Sequence, residues 1–366
     1  MSRKLFHLIA AARPNFMKVA PLYHAFVKEN GWAKAVMVHT GQHYDHSMSA
    51  AFFADLGLPK PDVNLEVGSG THAEQTGAVM VAYERFCRDS RPDCVIVVGD
   101  VNSTMACAIT AKKLELPLAH LEAGLRSHDR TMPEEINRLV TDAIADLLWT
   151  PSEDADQNLR NEGVAAERIV RVGNIMIDSY ELVRGRIEAA DTAGKLGVAG
   201  TFGVVTLHRP SNVDSKPALT RLADLLIEIA GKVQLVFAVH PRTAARLAEF
   251  GLDRALAGAR GLRLVEPMGY VEFMALVRKA RFAITDSGGI QEETTYLDIP
   301  CLTLRDTTER PITVTQGSNR LIQPAQLLAA LDEVLGGRWP HGRCPPLWDG
   351  HTADRVIESL RRAFPA

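Results

Sequence analysis

What this 366-residue chain lacks narrows its function before any motif is read. No apolar run is long enough to cross a bilayer, and residues 5–12, which mimic a short signal segment, run straight into Pro14 and Lys18. A first buried strand accounts for them better. Nor is there an excess of positive charge: 41 Lys and Arg against 44 Asp and Glu leave a formal net charge of −3, with no basic cluster. Neither nucleic acid nor membrane is therefore an expected partner. Cysteine is sparse. The five residues Cys87, Cys94, Cys107, Cys301 and Cys344 are odd in number, widely spaced and mostly inside apolar runs, which fits buried thiols and a cytoplasmic setting. No CxxC or HExxH occurs, so a metal site has no support. Two nucleotide fingerprints are missing too. There is no GxxxxGK[ST] loop, and Gly68-Ser69-Gly70 with Ala73 is a poor dinucleotide signature because residues 62–67 make a weak buried strand. No cofactor is expected.

What is there is an ordinary soluble composition, 46% hydrophobic and 23% charged, in a chain longer than one core usually supports. Strands are expected at 5–11, 35–39, 94–99, 118–121, 169–172, 203–207, 234–239, 263–265, 282–285 and 301–304. Helical-period segments fall between them, at 15–29, 103–114, 134–148, 218–230, 270–279 and 325–335. This βαβ alternation predicts an α/β protein with parallel sheets. The break falls around residues 174–200, which gives a first doubly wound domain at 1–174 and a second at 175–351. The final helix, within 352–366, can pack back on the first.

Ligands of open parallel sheets bind beyond the carboxyl ends of the strands. Those positions are chemically loaded here: Arg13-Pro14, Asp100, Glu122, His208-Arg209, His240 and the turn Asp286-Ser287-Gly288-Gly289. Charge or imidazole at strand ends from both halves predicts one cleft between two domains. The last turn is the most telling, because a helix opening on two glycines presents backbone amides to an anion with no Cβ in the way. Glu293, further into that helix, suits a ribose diol, so a nucleoside diphosphate group is favoured over inorganic phosphate. Each residue also has a plainer use. Ser287 and Asp100 suit helix capping, Arg126 suits a salt bridge with Glu122, and Pro133-Glu134-Glu135 suits a helix start whose acids complement the dipole. His208 and His240 suit structural roles, and Lys18 suits solvent. Convergence of them all on an expected anion site is what argues for catalysis.

Arg13-Pro14 with Lys18, Thr40-Gly41-Gln42-His43, Gly99-Asp100, His120 through Arg126, Pro133 through Arg138, Gly173-Asn174, His208-Arg209, Asp286 through Glu293 and Arg305 through Pro311 together resemble the non-hydrolysing UDP-N-acetylglucosamine 2-epimerases. The resemblance implies a GT-B architecture of two Rossmann-like domains, a UDP-sugar substrate and a homodimer. It implies catalytic roles for Asp100, Glu122, Glu134 and His208. Arg13, Lys18, Phe273, Ser287, Gly288, Gly289, Glu293 and Arg310 would then contact UDP, with Phe273 near the uracil. Gln42, His43, Arg138, Arg209 and His240 are accessory candidates. Neither NAD nor metal is required by the elimination chemistry of these relatives, in which UDP leaves carbon 1 and acidifies the hydrogen on carbon 2. Ala11-Ala12 and Asn15 depart from the usual pattern beside Arg13, and Met268 replaces a common polar uracil-side contact. Asp45 and Glu74 stand where substrate-activated relatives carry a glutamine and an arginine, so weak or absent substrate activation is expected. The alternatives are epimerisation of UDP-2,3-diacetamido-2,3-dideoxyglucuronate, glycosyl transfer on the same architecture, and a non-catalytic nucleotide-sugar sensor. Retention of Asp100, Glu122 and Glu134 argues against the last two.

Overall fold

A computed structural model describes residues 3–11, 13–41, 53 and 55–365, without the side chains of Arg13 and Pro14. The chain divides into two compact units, Met1–Leu182 with Pro346–Ala366, and Val183–Pro345.

The first unit is built on a seven-stranded parallel sheet in the order β3-β2-β1-β4-β5-β6-β7. Its strands are β1 (Lys4–Ala10), β2 (Ala33–His39), β3 (Val63–Asn64), β4 (Cys94–Val98), β5 (Leu118–Leu121), β6 (Leu147–Thr150) and β7 (Ile169–Arg171). The central strands β4 and β5 are buried at every position, as a parallel sheet covered on both faces requires. The second unit repeats the plan with six parallel strands ordered β10-β9-β8-β11-β12-β13. These are β8 (Phe202–Thr206), β9 (Gln234–Ala238), β10 (Leu262–Val265), β11 (Phe282–Thr285), β12 (Cys301–Thr303) and β13 (Asn319–Leu321). In each sheet the order reverses beside the first strand, between β1 and β4 and between β8 and β11. That reversal opens a crevice at the strand ends where ligands of such sheets bind.

The connecting helices follow their apolar spacing. Helix Lys216–Ala230 buries Leu219, Leu222, Ala223, Leu226 and Ile229, one face of a 3.6-residue period, and carries proline in its first turn where no amide is needed. The structure differs from the expected elements in one instructive place. The helix expected at 134–148 ends at Ile144, because Ala145 turns extended and its carbonyl accepts from Nε of Arg168 at 3.1 Å. Leu147–Thr150 then becomes β6, paired with β5 and β7. Two short edge strands, β3 and β13, also lie outside the expected set; neither reads as an apolar run.

The last helix, Thr352–Ala363, belongs to the first unit. Its opening amides at Thr352 and Ala353 donate to the buried carboxylate of Asp178 at 3.1 and 2.8 Å, which supplies the cap its own sequence lacks. Trp149 Nε1 donates to Ser359 Oγ at 2.9 Å, and Trp32 Nε1 donates to the carbonyl of Phe364 at 3.2 Å. Val356, Ile357 and Leu360 fill the space beneath.

Candidate active site

In the first unit, β4 and β5 deliver two carboxylates to neighbouring strand ends. Strand β4 stops at Gly99, whose φ of +69° turns the chain so that Asp100 follows. Asp100 does not cap the next helix: the N-cap is Val101, with no side-chain bond. Instead Nη1 of Arg138 reaches Asp100 Oδ2 at 2.5 Å, and Asn137 Nδ2 donates to the Asp100 carbonyl at 2.8 Å. Arg138 is itself held, with Nη2 on Glu135 Oε2 at 2.7 Å. Glu135 accepts in turn from the Ser127 amide and hydroxyl and from the His128 amide at 2.9 to 3.0 Å. Burial opposes its charge, but the Ser127 amide and Arg138 hold its carboxyl below the usual range. Asp100 thus sits at the end of a rigid relay anchored on the helix Pro133–Ile144.

Strand β5 ends in Glu122, a non-glycine residue at φ +71° and only 4% exposed. That left-handed conformation is strained and needs support from its surroundings. The support comes from beneath. Buried His120 places Nδ1 2.6 Å from Asp142 Oδ1 and Nε2 2.9 Å from the Gly99 carbonyl. Asp142 Oδ2 accepts from the Gly124 amide at 3.0 Å and pairs with Arg126 Nη1 at 2.7 Å. Burial opposes ionisation of Asp142, yet the charges of His120 and Arg126 hold its pKa down. One carboxylate therefore ties the turn after β5 to the turn after β4. The plainer alternative, a Glu122–Arg126 salt bridge, does not form. Arg126 goes to Asp142 and Glu162, and Glu122 Oε2 pairs with Lys18 Nζ. Lys18, expected to point to solvent unless it met phosphate, is a half-hidden ammonium at 12% exposure. Gly99 makes this meeting possible: a Cβ there would lie 3.2 Å from Lys18 Nζ and 3.4 Å from Glu122 Oε2.

Glu134 stands apart. It is exposed on the first turn of its helix and makes no hydrogen bond or ion pair among the described residues. Arg13 opens the helix Arg13–Lys28, but its side chain is outside the described set. Gln42, His43 and Asp45 lie outside the described residues altogether.

In the second unit the turn after β11 has a different character. Helix Gly288–Tyr296 begins after Ser287, and Ser287 makes no side-chain cap; its own amide donates to Thr285 Oγ1 at 2.9 Å. The first-turn amides therefore lack a capping side chain, which is the arrangement that receives anions. Arg310 lies over this end. A Cβ on Gly288 would meet its Nη1 at 2.7 Å and Glu309 Oε1 at 2.8 Å, so only glycine allows the guanidinium this close. Arg310 pairs with Glu309 and has Nε 2.8 Å from Glu292 Oε1, while Arg305 Nη2 donates to Glu309 Oε2 at 2.7 Å. Burial works against Glu309, but Arg310 and Arg305 hold its carboxyl far below the ordinary range. Glu293 is the reverse case. It is buried, accepts from the Tyr270 hydroxyl at 2.7 Å, and is pushed up to about 8, first by burial. Phe273 is half-buried on the helix Tyr270–Lys279, which also carries Tyr270.

The two histidines part company. The His208 ring has Nδ1 3.1 Å from Asp286 Oδ1, and Asp286 also accepts from the backbone amides of His208 and Arg209 and from Asn212 Nδ2 at 2.9 to 3.1 Å. Burial opposes the charge of Asp286, whereas the bond and charge of His208 lower its pKa. His208 is thereby fixed with its other nitrogen turned away from Asp286. Arg209 Nε donates to the Asp286 carbonyl at 3.1 Å. His240 is the N-cap of helix Pro241–Phe250, its Nδ1 accepting from the Arg242 amide at 3.2 Å. Burial and then the charge of His208, whose ring is 5.3 Å away, lower its pKa.

Of the residues that hold the candidates, Asp142, Asn212 and Tyr270 were not singled out from the sequence, while His120, Glu135 and Glu309 stood only within motifs, without this role. Their partners are distant along the chain or hidden within motifs. Among the described residues no cluster of His, Cys, Asp or Glu is placed to hold a metal ion, and no helix is long and apolar enough to cross a membrane.

Against known proteins, the profile described as UDP-N-acetylglucosamine 2-epimerase matches residues 25–361. A UDP-N-acetylglucosamine 2-epimerase of Methanocaldococcus jannaschii is 39% identical over 365 residues, covering 96% of this chain and 98% of that protein. A UDP-2,3-diacetamido-2,3-dideoxy-D-glucuronate 2-epimerase of Pseudomonas aeruginosa is 39% identical over 323 residues, covering 87% and 88%. The crystal structure of the M. jannaschii UDP-GlcNAc 2-epimerase in complex with UDP-GlcNAc and UDP superposes with a TM-score of 0.89 at 38% identity, covering 98% of this chain and 99% of that one. Two all-parallel α/β units of seven and six strands match the GT-B-like architecture of such enzymes. The chain belongs to the UDP-N-acetylglucosamine 2-epimerase family and is an isomerase.

Proposed function

We propose that the protein interconverts UDP-N-acetylglucosamine and UDP-N-acetylmannosamine, supplying the latter for surface polysaccharide precursors. The observation that carries this reading is the pair of carboxylates, Asp100 and Glu122, held at adjacent strand ends by dedicated cations. The hydrogen on sugar carbon 2 is not next to a carbonyl, so a side-chain base cannot remove it unaided. Breaking the bond from carbon 1 to the diphosphate oxygen builds positive charge at carbon 1 and acidifies that hydrogen. A carboxylate takes the proton, giving 2-acetamidoglucal and UDP. A proton then returns to carbon 2 on the opposite face, and the UDP oxygen rejoins carbon 1. Asp100, Glu122, Glu134 and His208 are the groups proposed for these proton transfers, which contribute roughly 10²–10⁴-fold when well placed.

UDP needs holding while it is detached. The Ser287 hydroxyl, the uncapped amides of Gly288 and Gly289 and the Arg310 guanidinium are proposed for the diphosphate, where fixed dipoles and charge stabilise a leaving anion. Arg13 and Lys18 are proposed as further diphosphate contacts, Glu293 as the ribose contact and Phe273 as the uracil contact. Protonated Glu293, favoured by its raised pKa, can both donate and accept toward a diol. Arg138 and Arg209 serve as supports for Asp100 and for the Asp286 turn.

Incubation with UDP-N-acetylglucosamine in heavy water, followed by NMR, tests the reading. Deuterium at carbon 2 together with UDP-N-acetylmannosamine is the expected result; absence of exchange overturns it. Free N-acetylmannosamine as the main product points to hydrolysis instead. The similarity to the Pseudomonas aeruginosa enzyme favours one second reading, epimerisation of the diacetamido glucuronate sugar. A parallel incubation with that nucleotide sugar separates the two by their relative kcat/KM.

A further inference from the structure

The contact between Lys18 and Glu122 has an asymmetry that points to more than structural pairing. Glu122 is 4% exposed, its Oε2 is on Lys18, and its buried Oε1 has no hydrogen-bond partner. A carboxylate taken from water with only half of its acceptor capacity met is poorly stabilised by that one cation. Lys18 is meanwhile bound to nothing else among the described residues, and its ammonium lies beside Gly99 where β1, β4 and β5 end side by side. This is the edge of the sheet at which ligands of such folds arrive. The pair is therefore a labile one placed in the path of an incoming anion.

Resting on the function proposed above, we propose that Lys18 serves two anions in turn, the Glu122 carboxylate and the substrate's diphosphate. A diphosphate carries more negative charge than a carboxylate, so at equal distance it attracts the ammonium more strongly. Its arrival draws Lys18 away and leaves Glu122 without a counter-ion and free to accept a proton. The base is then exposed only when a leaving group is in position, which guards against proton transfer with no bond to break. Lys18 in this account is a positioning residue for Glu122 as well as a phosphate contact.

Competition of this kind is thermodynamically reciprocal: whatever frees Lys18 from Glu122 must tighten binding of the anion. UDP alone is the probe, titrated calorimetrically into the full chain as wild type, Glu122→Gln, Lys18→Met and the double variant. Glu122→Gln is expected to bind UDP roughly three- to tenfold more tightly than wild type, the effect of releasing one ion pair. Lys18→Met is expected to bind more weakly, and adding Glu122→Gln to it is expected to change nothing further. Equal or weaker binding by Glu122→Gln overturns the proposal. So does a gain that persists without Lys18, because that gain is simple relief of charge repulsion. Failure of the wild type itself to bind UDP overturns the functional reading and this inference together. Should Glu122→Gln not fold, as judged by near-UV circular dichroism, Glu122→Met carries the same test.

Discussion

The two units share a sheet plan but treat charge in opposite ways. In the first, the charged groups at the strand ends are paired with each other: Asp100 with Arg138, Glu122 with Lys18, His120 and Arg126 with Asp142. In the second, the corresponding strand end opens on a helix whose amides have no capping side chain and over which Arg310 is held by Glu292 and Glu309. The first unit thus keeps its carboxylates braced, and the second presents the arrangement proposed above for the diphosphate. In the function proposed above, three of the four proton-transfer groups fall to the first unit and the amide and Arg310 contacts for the diphosphate to the second, with His208, Arg13 and Lys18 crossing that division, because the same strand-end position accepts either a braced side chain or bare backbone.

That division makes separable predictions. The largest effect belongs to the first unit: Asp100→Asn and Glu122→Gln are each expected to lower kcat by roughly 10²–10⁴-fold. Carbon-2 deuterium exchange should fall in parallel while UDP still binds. If these variants instead lose UDP, the division is wrong. Next comes the second unit, where Arg310→Met should weaken UDP binding by about 10²-fold, the loss of one charge-assisted contact, with calorimetry as the readout. A change confined to kcat breaks the comparison from the other side.

Asp142→Asn should lower kcat about tenfold with little change in KM, because the carboxylate that ties the two turns is no longer charged toward His120 and Arg126. The smallest effect is on stability. Glu293 is raised from 4.5 to about 8, so the folded protein keeps a proton that the unfolded chain gives up between those values. Stability therefore falls as pH rises through that window. Glu293→Gln removes the titration, and its melting temperature relative to wild type should climb from pH 5 to pH 8. A difference that stays constant across the range rules this out.

The sequence made the strand ends legible because apolar runs of four to six residues stop abruptly at charge, as at Val98-Gly99-Asp100 and Thr285-Asp286. It could not distinguish the end of a helix from the start of a strand in 144–150, where both are apolar and only the extended Ala145 decides. Side-chain partners were less accessible still. Glu122 and Arg126 look like a natural pair four residues apart, but the backbone between them turns through positive φ at Glu122 and Gly124, which sends them to different partners. The partner that Glu122 does take lies 104 residues away in sequence. Asp142 gave no signal, and His120 none of its bracing role, because nothing local distinguishes a bracing acid from a surface one until the sheet brings β4 and β5 together.

The return of helix Thr352–Ala363 to the first unit also sets an order of events during synthesis. The second unit is contiguous in sequence and can complete its sheet as soon as residue 345 has emerged. The first unit begins earlier yet finishes later: until residues 352–364 leave the ribosome, Asp178 has no amides to cap and the indoles of Trp149 and Trp32 lack these acceptors. The unit that braces the carboxylates is therefore the one whose assembly waits for a segment made after the other unit. A chain that stops before Thr352 would keep every residue of the 183–345 unit and lose the helix that completes the other.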